Sequence, residues 1–197
     1  NVADADGNVS VKGSVSNLTV NQNGANISGA ANAGILAGVS NGVINNVTLN
    51  ASGAVTLTDT DNAGLLVGKT GGSVVNAVVS ATGTTYVNAT NRAGGVVGYA
   101  EGATILDSQA ALNGGLSSTA VNAGGFVGGA ADSTFQNIKV TGFKRQDLDQ
   151  KKNLSFNTDN AGGFAGMISG GQITTVDVAL TMDNSNSKTG GFMGGAV

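Results

Sequence analysis

Cysteine, proline, histidine and tryptophan are all missing from this 197-residue chain. Without cysteine there are no disulfides and no thiolate metal sites. Without histidine as well, Ser-His-Asp, Cys-His and zinc constellations cannot be assembled from it. Aromatic residues make up only 4%, so a core must come from the Val, Leu, Ile and Ala within the 40% hydrophobic fraction. Charged residues are 11%, less than half the roughly 25% usual in soluble domains. Asn, Ser and Thr must therefore form the polar surface. The net charge of -3 comes without any basic stripe, which speaks against nucleic acid as a partner. No run of 18 apolar residues occurs, so no membrane insertion of this segment as a helix is expected. The chain opens on Asn1 and stops at Val197, just past a completed repeat phrase. We read it as a piece of a longer protein.

Glycine is what the chain has in excess: 33 residues, more than twice the usual share of about 7%. Many sit in one phrase, plainest at Asn122-Ala123-Gly124-Gly125-Phe126-Val127-Gly128. Its first glycine recurs at 34, 64, 94, 124, 162 and 190, in steps of 30, 30, 30, 38 and 28 residues. A fixed period of this size is the signature of a solenoid. Two further segments follow each phrase. One has the pattern apolar, any, small polar, apolar, any, apolar, as in Phe135–Val140 and Ile173–Val178. The other alternates strictly, as in Ala54–Thr60, and reads as a half-buried strand. Gly-, Asn- and Ser-rich pieces separate them as turns.

The expectation is an all-β, single-domain parallel β-helix over residues 1–197, with about six coils of about 30 residues and three short strands in each. The usual crossover rule makes it right-handed. The units run 1–31, 32–61, 62–91, 92–121, 122–159, 160–188 and 189–197, the last being the start of a further unit. Residues one period apart then stack in columns about 4.8 Å apart. The column Leu36, Leu66, Val96, Phe126, Phe164, Phe192 is bulky and apolar throughout, so we assign it to the interior. Gly38, Gly68, Gly98, Gly128, Gly166 and Gly194 form a second column. Glycine costs a strand roughly 0.5–1 kcal/mol against alanine, so this column needs a cause: a positive φ or close backbone approach. Asn32, Asn62, Asn122 and Asn160 form a third column, interrupted by Arg92, and stacked amides can bond up such a column.

The period slips once, and the slip coincides with the most charged stretch, residues 143–152, which holds four of the nine basic residues. Solenoids carry insertions on one face, often the binding face. Lys144, Arg145, Lys151 and Lys152 are therefore the candidate partner-binding residues, with a merely solvated loop as the plain alternative.

The phrase Ala-Gly-Gly-Phe-Val-Gly followed by the Phe135–Val140 pattern resembles the GLUG-motif repeat, and six copies in register carry the resemblance along nearly the whole chain. Arg92 and the 143–152 insertion depart from the pattern. The resemblance implies a large bacterial secreted or cell-surface protein of adhesin type. It offers no shared catalytic motif, so it implies no catalytic residue.

Other chemistries find little support. Asp4-Ala5-Asp6-Gly7-Asn8 looks like part of a calcium loop, but Val2 stands where an oxygen ligand belongs and no acid follows until Asp59. No other cofactor is expected. Asn-x-Ser/Thr recurs, as at Asn17 and Asn46, a glycosylation acceptor if the host modifies surface proteins. An ice-binding array would start at Thr56, Thr58 and Thr60. On a 30-residue step it continues as Tyr86, Asn88, Thr90 and then Leu116, Ser118, Ala120, and so decays. A glycan-binding or polysaccharide-active β-helix would want clustered acids or aromatic platforms. One glutamate, Glu101, and two tyrosines, Tyr86 and Tyr99, are available. The sequence thus favours a non-enzymatic stalk or adhesive region of a secreted or surface protein. Its partners would be a host or neighbouring-cell surface protein or glycan, or further copies of itself.

Overall fold

A computed structural model describes residues 2–3, 9–10, 13–28, 31–142, 154–180, 182–184 and 188–197. Every regular element among them is a strand, and the chain winds through three parallel sheets in turn. A short sheet holds Ala37–Ser40, Val67–Thr70, Val97–Glu101, Val127–Ala131, Ala165–Ser169 and Met193–Ala196. A bent sheet holds the nine-residue strands Ser14–Gln22, Val43–Ala51 and Ser73–Ala81 and their successors. A broad sheet is built on the ten-residue strands Val55–Gly64 and Thr85–Gly94. One antiparallel pair, Val2–Ala3 with Val9–Ser10, stands apart from these sheets. The short sheet's six rungs enclose about five turns. Counting phrases suggests about six coils because a phrase marks a rung, whereas a turn is the interval between two.

The bend in the bent sheet comes from the small polar position of the sequence pattern. Asn17, Asn46, Asn76, Asp107, Asn137 and Thr175 occupy it, all with φ between 50° and 55°. Asn and Asp tolerate this left-handed region better than other non-glycine residues. The kink lets residues on both sides of it face inward. The column is tied together from lap to lap: Asn46 Nδ2 donates to Asn17 Oδ1 at 2.7 Å, and Asn137 Nδ2 to Asp107 Oδ1 at 2.7 Å.

The phrase itself is a corner. Asn62-Ala63-Gly64 ends a broad-sheet strand, Leu65-Leu66 turns inward, and Val67-Gly68 begins a short-sheet strand. None of the glycines in the two phrase columns has a positive φ, so close approach is the cause. A Cβ on Gly64 would lie 2.4 Å from the Val67 carbonyl oxygen. A Cβ on Gly98 would lie 2.5 Å from the Gly68 carbonyl oxygen and 2.6 Å from the Ala63 nitrogen. At this vertex the short sheet's glycines press on the buried alanines of the broad sheet, Ala33, Ala63, Ala93, Ala123 and Ala161.

The interior column is as the spacing requires. Leu66, Val96, Phe126 and Phe164 are fully buried. Phe164 stacks on Phe126 at 5.9 Å and on Phe192 at 5.2 Å between centroids, and Phe135 meets its edge at 5.2 Å. Such pairs contribute about 0.5–1.5 kcal/mol beyond area burial. Leu36 is half-buried and Phe192 is 37% exposed, because they lie on the first and last rungs of this column. Buried serines close gaps in the backbone ladder: Ser108 Oγ accepts from the Ala77 N–H and donates to the Leu106 carbonyl.

Two register findings bear on function. The fifth lap carries its extra residues between Thr141 and Leu154, yet Leu116 pairs with Leu154 and Asn122 with Asn160. The stack closes behind the insertion. In the lap before, Thr85 pairs with Leu116 and Tyr86 with Ser117, a step of 31 residues where the sequence spacing predicts 30. That corrects the hydroxyl array. Leu116, Ser118 and Ala120 point inward and are buried, and the outward positions are Ser117 and Thr119.

Candidate functional site: a charged flank on the middle laps

The basic residues expected to bind a partner, Lys144, Arg145, Lys151 and Lys152, lie outside the described residues, as do Asp4 and Asp6 of the partial calcium loop. Among the described residues no group of three or more acidic side chains comes together. Asp107 and Asp132 stand in separate corners, each with positive φ. What does gather is a mixed cluster on the flank where the broad and short sheets meet.

The asparagine column builds one side of it. Asn62 Nδ2 donates to Asn32 Oδ1 at 3.0 Å and to Asp61 Oδ2 at 3.3 Å. Asn160 Nδ2 donates to Asn122 Oδ1 at 2.8 Å. The amide ladder expected from the sequence is therefore present on both sides of Arg92. Arg92 itself continues the ladder downward, with Nη1 donating to Asn62 Oδ1 at 3.1 Å. Above it, Asn122 Nδ2 donates to the Asn91 carbonyl at 3.4 Å, while Asn91 Nδ2 donates to Asp61 Oδ1. Asn91 thus covers the gap left in the column, with its main chain on one side and its amide on the other.

The short sheet builds the other side. One of its outward columns runs Val39, Lys69, Tyr99, Gly129, Met167. Arg92 lies across it. Its guanidinium carbon is 3.9 Å from the Tyr99 ring centroid, and a Cβ on Gly129 would meet Arg92 Cδ at 2.7 Å. Glycine at 129 is the slot that lets the arginine stem lie flat. Lys69 Nζ is 5.5 Å from the same ring and pairs with Glu101 Oε2 at 2.8 Å. Asp61, Lys69, Arg92 and Glu101 thus carry two charges of each sign within three successive laps.

The energetics decide how to read this cluster. With Lys69 35% and Glu101 54% exposed, their pair contributes about 0.2–1 kcal/mol. Exposed cation–π contacts add about 0.5–1 kcal/mol each. The fold does not depend on such sums. In a solenoid each column meets the same packing demand on every lap. Arg92 departs from the asparagine that its column carries on the laps to either side, and it meets Tyr99 and Lys69, the aromatic and cationic members of a column that varies from lap to lap. Between the two sides lies a groove of about 390 Å³, lined by Asn32, Asp61, Asn62, Lys69 and Glu101 among others.

The tyrosines divide. Tyr99 is covered by the cations and offers no open platform. Tyr86 lines a shallower depression on the outer face of the broad sheet with Ser117, Thr119, Ser155 and Asn157. In the observed register, that face presents Asn26, Thr56, Tyr86, Ser117 and Ser155 in one column. Hydroxyls and amides continue through every one of these rungs, but the Tyr86 ring breaks the flat hydroxyl lattice that ice requires.

The sequence singled out Arg92 as an interruption and both tyrosines as scarce aromatics. It did not join them, since Arg92 and Tyr99 meet only across the corner. Column arithmetic holds the missing signal: Lys69 is one 30-residue step below Tyr99. No family model, no curated protein and no solved structure matches this chain.

Proposed function

We propose that this chain is a rigid, non-catalytic spacer in the stalk or adhesive region of a secreted or cell-surface bacterial protein of GLUG-repeat type. The observation that carries the reading is that all three sheets pair lap to lap in parallel, and keep doing so across the 38-residue step between Asn122 and Asn160. Each lap is bonded to its neighbours on every side, so the stack resists bending and sets a distance of about 4.8 Å per lap. The lack of histidine and cysteine and the separation of Asp107 from Asp132 support a mechanical role over a catalytic one. The extra residues of the fifth lap give such a stalk a natural place for partner contact.

Length is the property to test. Residues 62–91 make one lap, and Arg92 pairs with Asn62, so their removal joins Asp61 to Arg92 at an equivalent position of the stack. The shortened chain should keep its β spectrum and a cooperative melt. Its maximum dimension in small-angle scattering should fall by about 4.8 Å, and a duplicated lap should add the same. Unfolding on removal, or unchanged length, would defeat the spacer reading.

A further inference from the structure

We infer that the groove beside Asn62 is a binding site for an uncharged, hydroxyl-rich saccharide. This goes beyond the spacer reading and does not depend on it. Three observations converge. The groove's volume of about 390 Å³ lies in the range of about 300–1,000 Å³ typical of ligand pockets. Its wall mixes amides, carboxylates and one ammonium, with Ala31, Val39 and Gly71 as its apolar part. Its charged lining is Asp61 and Glu101 against Lys69 alone. Arg92, bonded to Asn62 behind the wall, brings the cluster to two charges of each sign, so the groove offers no net charge to hold phosphate, sulfate or an acidic sugar.

A sugar hydroxyl both donates and accepts, so it needs a wall with both capacities. Asp61 accepts from Asn62 and Asn91, and a carboxylate has about four acceptor positions, so it keeps others for ligand hydroxyls. Lys69 gives one contact to Glu101, and an ammonium has three donors. Asn62 is held from three directions by Asn32, Asp61 and Arg92, and is 4% exposed. It is a positioning residue that fixes the Asp61 carboxylate. The Arg92 stack on Tyr99 in turn fixes Arg92. The wall is thus ordered before any ligand arrives, which lowers the entropy lost on binding.

The test starts with a printed array of neutral and acidic oligosaccharides probed with the whole chain. The strongest neutral glycan is then titrated into ¹⁵N-labelled protein. The expected result is a neutral glycan that moves the amide resonances of Asn62, Lys69, Gly71 and Glu101. Glu101→Ala and Lys69→Ala should each weaken its binding about tenfold or more, the usual effect of losing a charged hydrogen-bond partner. Lys139→Ala, on an exposed position of the bent sheet, should leave it unchanged. Glu101 is half exposed, so its variant should keep the wild-type spectrum in the absence of ligand. The inference is overturned if only acidic glycans bind, if no neutral glycan binds, if the shifts gather around Tyr86, or if Glu101→Ala binds like the wild type.

Discussion

Gly98→Ala puts the vertex of the solenoid to a direct test. The added carbon would sit 2.5, 2.6 and 2.8 Å from the Gly68 carbonyl oxygen, the Ala63 nitrogen and the Ala63 carbonyl carbon. Ordinary contact is about 3.5–4.0 Å, so the backbones must part by about 1 Å. All three atoms belong to the main chain of the lap below, whose spacing of about 4.8 Å is set by the ladder itself. No side chain is available to swing away. Overpacking of this kind costs about 1–3 kcal/mol, and the upper end applies where backbone must move. Relief of glycine's entropy returns about 0.5–1 kcal/mol, leaving a loss of about 2 kcal/mol. For a chain of this length that lowers the melting temperature by about 4–8 °C. Two other glycines separate the causes. Gly102 has nothing within 4 Å of its added carbon but a φ of +63°, so alanine there costs about 1–2 kcal/mol from conformation alone. Gly191 has neither problem, so alanine there should be neutral or stabilising by about 0.4–1 kcal/mol. Thermal melts followed by circular dichroism should rank Gly191→Ala at or above wild type, then Gly102→Ala, then Gly98→Ala. A Gly98→Ala protein that melts at or above Gly102→Ala would refute the close-approach account of the glycine column.

Two further outcomes follow from the core and the insertion. Phe164→Ala removes the ring that touches Phe126, Phe135 and Phe192 and should cost about 3–5 kcal/mol; Phe192→Ala, at 37% exposure, should cost much less in the same urea melts, and equal losses would contradict the packing described. Deleting residues 144–151 should leave the β spectrum and melting temperature intact, because Leu116 already pairs with Leu154 behind that segment; loss of cooperative melting would show that the inserted residues hold the lap together.

The 30-residue period made the inward column legible, since Leu66, Val96, Phe126 and Phe164 must share a fate if laps are in vertical register. The same period misled at Leu116. One residue is gained before Thr104, which pairs with Ser73 at a step of 31, and one is lost again before Asn122, which pairs with Arg92 at 30. Spacing between phrases is blind to two compensating changes inside one lap. Periodicity also left the cause of the glycine column open between φ and crowding, because both select against a Cβ; only the distance to the alanine backbone separates them. The charged flank was harder still. Asp61, Arg92 and Tyr99 lie on two different sheets, and nothing in a one-dimensional pattern says which outward columns face each other across a vertex.

Pairing is undisturbed on either side of the segment between Thr141 and Leu154. Such an arrangement separates two kinds of sequence change. Substitutions inside the columns answer to every neighbouring lap, whereas the intervening segment has only to span the distance from Thr141 to Leu154. Sequence in that segment could therefore change freely while the columns stay constant. The same position invites grafting of foreign peptides for display on a stiff support.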